Sequence, residues 1–319
     1  MKKYFTILFT LLSLVFSLQA QVSTSEKATH NIGEDDLKGV NILIANDLGR
    51  NGYYEQQPIA ELMGEWAERA DIEFVAANGD IHHFNGVASV QDPLWMTNYE
   101  MIYKHPELML DWYATLGNHE YRGNTQAVLD YKNVSRRWVM PDRYYTLTQK
   151  YKDGSSIRYI FVDTTPLIDK YINDPEGYPD ANQQSIDKQL AFVDSVLTVS
   201  NETWTVVLGH HPIYSETSKN ISERTDLQKR LDPILKKHKV DFYINGHIHN
   251  FQHIKVKQSP IHYFTNSSAS LSRKVKEIEG TQFADDRAGF SILSANKDRL
   301  AIFFIDGKGN CIYRFQITK

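Results

Sequence analysis

Short apolar runs alternate along this chain with stretches where apolar residues recur every three or four positions. Val40–Asn46 (VNILIAN) is a run of the kind a buried strand needs, and IEFVAAN, Trp112–Leu116, RYIFVDT, WTVVLG and VDFYING repeat it. Between them, Ile59, Leu62, Met63, Trp66 and Ala70, after Pro58, share one helical face. Ile186, Leu190, Val193 and Leu197 predict a second helix. Leu227, Leu231 and Leu235 predict a third, with Pro233 inside it as a kink or break. YYTLTQKY and RYIFVDT read as a hairpin across KDGSS.

After Ile261 the helical spacing ends. IHYFTNSS, GFSILSAN, RLAIFFID and CIYRFQI read as strands, the last three joined by the turn sequences NKD and DGKGN. Strands and helices in alternation, followed by an antiparallel tail, predict an α/β domain with more than one sheet. No linker or fixed-period repeat interrupts 39–319, which is expected to form a single domain. Residues 164–184 read as one long loop, and such loops in compact domains are often functional.

The N-terminus follows another pattern. Lys2 and Lys3 precede an apolar run from Tyr4 to Leu18, and Ala20 offers a small residue before Gln21. This predicts a secretory signal peptide over 1–20, since the run is shorter than the roughly 20 residues of a spanning helix. The expectation is export to the periplasm or the medium, without stable membrane insertion. Residues 21–38 are polar and aperiodic and read as a flexible leader. A net charge of −4 and the lack of a long basic block argue against a nucleic-acid partner. The single cysteine, Cys311, leaves no internal disulfide, and its place in a terminal strand pattern reads as a small buried residue.

Polar residues collect where the strands end. The first strand runs into NDLG (Asp47), the second into NGDIHH (Asp80, His82, His83) and the third into LGNHE (Asn118, His119, Glu120). Two later ones run into LGHHP (His210, His211) and NGHIHN (His247, His249). Seven of the twelve histidines lie in these five loops. Ligands of open α/β sheets bind outside the carboxyl ends of the strands, so the loops are expected to share one rim. Taken singly, NDLG is a turn, GNHE a helix cap and GHIH a pair of satisfied histidines. Their order and their common position after strands set them apart. Asp47, Asp80, His83, Asn118, His210, His247 and His249 are candidate metal ligands. Imidazole, carboxylate and amide oxygen suit Fe, Zn or Mn, and no thiolate is at hand for a structural zinc knuckle. Seven ligands exceed the needs of one ion, whereas two ions sharing a carboxylate would use them and could clamp a displacement at phosphorus.

This order of motifs resembles that of the calcineurin-like metallophosphoesterases, and more narrowly the small, tartrate-resistant purple acid phosphatases. TLGNHEYRGN, SRRWVMPDRYY, LGHHPIYS and GHIHNFQHI carry the likeness, which runs from about Val40 to Ile317. The resemblance implies a four-layer αββα sandwich, two mixed β-sheets packed face to face with helices outside. It implies two divalent or trivalent metal ions and a small phosphate-ester or phosphoprotein substrate. Asp47, Asp80 and His249 would hold the first ion, with Asp80 bridging. Asn118, His210 and His247 would complete the second. His119 would face the substrate, with Glu120 behind it to orient the ring. Hydroxide held at the metals would attack phosphorus in line.

Two positions depart from the purple enzymes. Their phenolate-bearing tyrosine is replaced by His83, and the wider family's D-x-H histidine by Gly49. Motif spacing favours His83 over His82 as the substitute ligand, which predicts a protein that is not purple. His211 stands where mammalian-type enzymes have tyrosine, and either touches substrate or packs beside His210. Asp163 is expected to be structural or to orient a ligand histidine, and His253 to lie at most behind the site. The sequence thus reads as a phosphomonoesterase of the acid-phosphatase type. The alternatives are a phosphodiesterase acting on nucleotides or lipid head groups, and a metal-binding protein without catalysis.

Overall fold

The computed structural model describes residues 29–217 and 221–319. The signal peptide expected over 1–20 lies outside them. Two mixed seven-stranded sheets form the centre. The first contains β1 (Val40–Ala45), β2 (Ile72–Asn78), β3 (Asp111–Thr115) and β4 (Trp138–Val139), all parallel. The second takes the β5 (Tyr145–Lys150) to β6 (Ser156–Val162) hairpin, then β7 (Trp204–Gly209) and β8 (Phe242–Asn245), which continue parallel from β6. Both sheets are completed by the last third of the chain. β9 (Phe251–Ile254), β10 (His262–Thr265) and β11 (Thr281–Asp285) extend the second sheet beyond β8. β12 (Gly289–Ala295) crosses back to pair antiparallel with β1, followed by β13 (Arg299–Asp306) and β14 (Cys311–Thr318) at the edge.

The sheets pack face to face. Phe74 of β2 meets Tyr159 of β6 edge-on at 5.3 Å, and Phe251 of β9 stacks on Phe304 of β13 at 4.7 Å. Helices cover the outer faces, which is why central strands are buried on both sides and read as unbroken apolar runs. The helix α1 (Gln56–Ala70) buries Ile59, Met63, Trp66 and Ala70 and tolerates Pro58 in its first turn. A short α2 (Thr125–Asp130) follows β3, and α3 (Asp169–Ile172) follows β6. The helix α4 (Ile186–Thr198) buries Val193 and Leu197. The expected third helix is two: α5 (Ile221–Arg230) and α6 (Asp232–Lys237), with Pro233 in the first turn of α6.

Two expectations change. Residues 164–184 are not one open loop but carry 3-10 turns at Thr165–Leu167 and Ala181–Gln183 around α3. The leader expected over 21–38 is fastened where the structure describes it. His30 N–H donates to the Cys311 carbonyl at 2.7 Å, Ile32 is buried, and Asp36 pairs with Arg314 at 2.6 Å. Cys311 itself is buried.

Candidate metal centre

The five motif-bearing strands end at one pole. β1, β2 and β3 deliver their loops from one sheet, β7 and β8 from the other. Asn78 joins the two edges: its Nδ2 donates to the carbonyls of Gly209 and Ile244, each at 3.1 Å. The backbone then turns sharply. Asp47, Asp80, His247 and His249 all have positive φ, between 52° and 74°. Such conformations are sparsely populated by residues other than glycine and collect at functional sites.

Asp47, Asp80, His210, His247 and His249 each have one polar atom fixed by protein, whereas both ring nitrogens of His83 are buried without a hydrogen bond. Asp47 Oδ2 accepts from Asn46 Nδ2 at 2.7 Å and from His247 N–H at 2.9 Å, which leaves Oδ1 facing His249 Nε2 at 3.0 Å. Asp80 Oδ1 accepts from His119 N–H at 2.9 Å. Its Oδ2 faces His210 Nε2 at 3.1 Å, His83 Nε2 at 3.6 Å and His119 Nε2 at 3.8 Å. His210 Nδ1 lies 3.0 Å from the Asn78 carbonyl, His249 Nδ1 2.7 Å from that of Leu271, and His247 Nε2 2.9 Å from Glu223 Oε2. Holding one ring nitrogen on a carbonyl or carboxylate orients the other toward an ion.

The inward atoms fit a metal. Asp47 Oδ1, Asn118 Oδ1, His83 Nε2 and His210 Nε2 are buried and make no directed hydrogen bond. Buried polar atoms without directed hydrogen bonds are costly, and four of them converging from four loops suit a shared ion. Donor atoms of Asp47, His83 and His249 lie within 4.8 Å of one another, as do those of Asp47, Asp80 and His210. Asp80, His83 and His119 form a further such group, so Asp80 faces His83 on one side and His210 on the other, a position that suits a bridging carboxylate. Burial opposes charge on Asp80, but His210 and then His119 outweigh it and hold the carboxyl well below its usual range. Asp47 is held down in the same way by His249. Burial keeps His83 neutral, the form that can bind a metal.

His83 enters the cluster and His82 does not. His82 points to the opposite side, edge-on to Trp95 at 4.4 Å, with Nδ1 near Asn98. Gly49 explains the vacated histidine of D-x-H: a Cβ there would lie 2.0 Å from the Ile81 carbonyl oxygen, so no side chain fits. Gly117 is equally constrained, its Cβ position lying 2.3 Å from Asp80 Oδ1.

One sequence assignment is corrected, and the open case of His211 falls to packing beside His210. Glu120 does not orient the His119 ring. Its carboxylate turns inward and accepts from four backbone N–H groups, those of Gly117, Asp80, Ile81 and His82, at 2.8 to 3.0 Å. Four converging amides outcompete one imidazole, so Glu120 fixes the Asp80 loop instead. The His119 ring is held by the Phe84 carbonyl, 2.6 Å from Nδ1. His211 does not reach a substrate position. It is fully buried beside His210 and His247, with Nδ1 2.8 Å from Thr164 Oγ1 and Nε2 3.0 Å from the Tyr171 hydroxyl.

Of the open cases, Asp163 accepts from the Tyr121 hydroxyl and touches no candidate ligand, and His253 packs between Tyr313 and His262 in the sandwich. Glu223 was not foreseen, because α5 carries no motif. Asn46, Asn78 and Asn245 could have been: β1, β2 and β8 each meet their motif with an asparagine, a repetition visible in the sequence.

The architecture and the pole together define a metallophosphoesterase fold. The chain belongs to the calcineurin-like phosphoesterase family, whose sequence model matches residues 40–251. Purple acid phosphatase 4 of Arabidopsis thaliana is 32% identical, covering 98% of this chain and 92% of its own length. Tartrate-resistant acid phosphatase type 5 of Sus scrofa is 26% identical over 77% and 76%. Among solved structures, "GAP50 the anchor in the inner membrane complex of Plasmodium" shares the fold with a TM-score of 0.76 at 22% identity, covering 88% of each chain. No helix among the described residues is long and apolar enough to cross a membrane.

Proposed function

We propose that this protein is a two-metal hydrolase of phosphate monoesters. Asp47, Asp80, His83 and His249 would hold one ion, and Asp80, Asn118, His210 and His247 the other. The carrying observation is the convergence around Asp80 of candidate donor atoms from five strand ends, those from four of them buried and without a directed hydrogen bond. The acid-phosphatase relatives support the monoester as substrate. A fold shared with a structure described as an anchor does not decide for catalysis, and the complete donor set favours it. When bound, such a metal pair supplies charge stabilisation at the phosphate oxygens and a nucleophile at moderate pH.

The chain's own groups do the rest. Asp80 and Asp47 set the spacing of the two clusters. Glu120 and Gly117 hold the Asp80 loop against the β3 loop. His119, partly exposed and fixed through Nδ1, presents Nε2 to the same space. From there it can stabilise equatorial charge or, when protonated, deliver a proton to the leaving oxygen. Fe, Zn and Mn all suit the donor set.

The test is phosphate release from an aryl monoester by the mature protein, before and after chelation and after readdition of Fe, Zn or Mn. A bis-aryl diester is run in parallel. Metal-dependent monoester turnover supports the proposal. Turnover of the diester alone replaces it with a phosphodiesterase, and two bound metals with no turnover replaces it with a metal-binding protein.

A further inference from the structure

A cleft of about 440 Å³ opens beside His83, lined by Arg50, Asn51, Tyr53, Tyr54, His83 and Phe84. Three of these are large aromatics with most of their surface in solvent: Tyr53 at 73%, Tyr54 at 64% and Phe84 at 62%. Single exposed aromatics are ordinary, but three rings around one cleft at the mouth of a reaction centre are not. The loop that carries the tyrosines is fixed. Gln56 Oε1 accepts from both Arg50 N–H and Gly52 N–H, Asn98 Oδ1 from Asn51 N–H, and the Ser270 carbonyl from Glu55 N–H. Phe84 is held as firmly, since its carbonyl anchors His119. Its ring lies 6.1 Å from that of His83 and 6.2 Å from that of His119.

Arg50 adds a second observation. The residue is only 7% exposed, Nε has no acceptor, and no carboxylate among the described residues stands within ion-pair distance. Its guanidinium lies 4.8 Å from the centre of the Phe84 ring. Burial pushes its pKa below the usual arginine value, with Asp47 and Asp80 opposing through space and Arg273 adding to the fall. A largely covered guanidinium whose Nε is unpaired suits a phosphate oxygen, and its position over Phe84 sets it beside the aromatic shelf.

We propose that Arg50, Phe84, Tyr53 and Tyr54 form the leaving-group subsite of the enzyme, built for a phosphomonoester whose leaving group is planar and aromatic. The inference rests on the phosphomonoesterase reading and assigns that site its specificity. Arg50 receives a phosphate oxygen while the leaving group lies on the aromatic shelf. A phenolic ring and a nucleobase share this chemistry.

The test compares benzyl phosphate with cyclohexylmethyl phosphate, whose leaving alcohols are similar in acidity but only one of which is planar. A nucleoside 5′-monophosphate is the third substrate. Native protein and Phe84→Leu, Phe84→Tyr and Tyr54→Leu variants are assayed in the metal-loaded state. Stacking on one aromatic side chain is worth roughly 1–3 kcal/mol, about 5- to 150-fold. The expected result is a benzyl-to-cyclohexylmethyl ratio of kcat/KM that falls about 5-fold or more in Phe84→Leu, mainly through KM, and recovers in Phe84→Tyr. A parallel loss on the nucleotide points to a base as occupant, and its absence to a phenolic or benzylic ring. An unchanged ratio overturns the subsite and leaves the phosphomonoesterase standing. Failure of the native protein to hydrolyse either ester overturns both.

Discussion

Glu223 Oε2 lies 2.9 Å from His247 Nε2, joining α5 to the loop after β8. The other Glu223 oxygen accepts from Lys170 Nζ at 2.9 Å and from the Tyr171 hydroxyl at 2.7 Å. Burial opposes charge on this carboxyl, yet its bond to His247 keeps it far below the usual range, so an ionised group holds the imidazole with Nδ1 inward. Removing such a partner typically costs 10- to 100-fold in metal affinity. Glu223→Ala should therefore weaken retention of one of the two ions by about that factor, and Glu223→Gln by less. Metal content after competition with a graded chelator measures it. Equal stripping of both ions, or of neither, counts against the pairing.

Asp80 and His82 lie two residues apart and should respond oppositely. Asp80→Asn removes a charge from the carboxylate that faces three imidazoles, and should cost at least about 100-fold in kcat together with bound metal. His82→Ala leaves a cavity against Trp95 and should cost about 1–3 kcal/mol of stability while both ions remain bound. Metal stoichiometry and urea unfolding separate the two effects.

His83 brings a neutral imidazole where the purple enzymes have a phenolate. Reconstituted with ferric iron, the native protein should show no intense visible charge-transfer band, and His83→Tyr should acquire one. A visible spectrum of each decides the matter. A strong band in the native protein would place some tyrosine on the metal.

The pair His253 and His262, with 2.9 Å between Nε2 and Nδ1, sits away from the metal cluster. Burial, then His262, pushes His253 down to about 3, and burial, then Lys255, pushes His262 down to about 4. Both are neutral in the fold while the unfolded chain binds protons below about 6.5. The unfolded state therefore gains protons first as pH falls, and stability declines from pH 6.5 toward 4, with no contribution from this pair above 6.5. Melting temperature against pH should show this slope, and His262→Gln should flatten it.

Much of the site was legible because it is local. Asp47, Asp80, Asn118, His210, His247 and His249 each follow a strand within a few residues, and the apolar runs locate those strands. Gly49 marked the position without a histidine, and His83, the candidate replacement, does lie in the same cluster. Direction was harder to read. Adjacent side chains diverge, so spacing ranked His83 above His82 but could not show that His82 faces Trp95. Glu120 follows His119 directly, yet its carboxylate turns back to the amides of another loop. The last strands read as one antiparallel tail, while β10 joins β8 and β12 joins β1.

By itself the sequence determined which donors exist, their order, and the strands that carry them, because hydrophobic periodicity and turn chemistry act over a few residues. The tertiary structure decided which sheet each late strand enters, that Asn78 ties the two edges together, and that Glu223 stands behind His247. It also gathered Arg50, Phe84 and two tyrosines around one cleft. These depend on pairings between distant segments. They are set by how two buried sheet faces fit together, which no short-range pattern encodes.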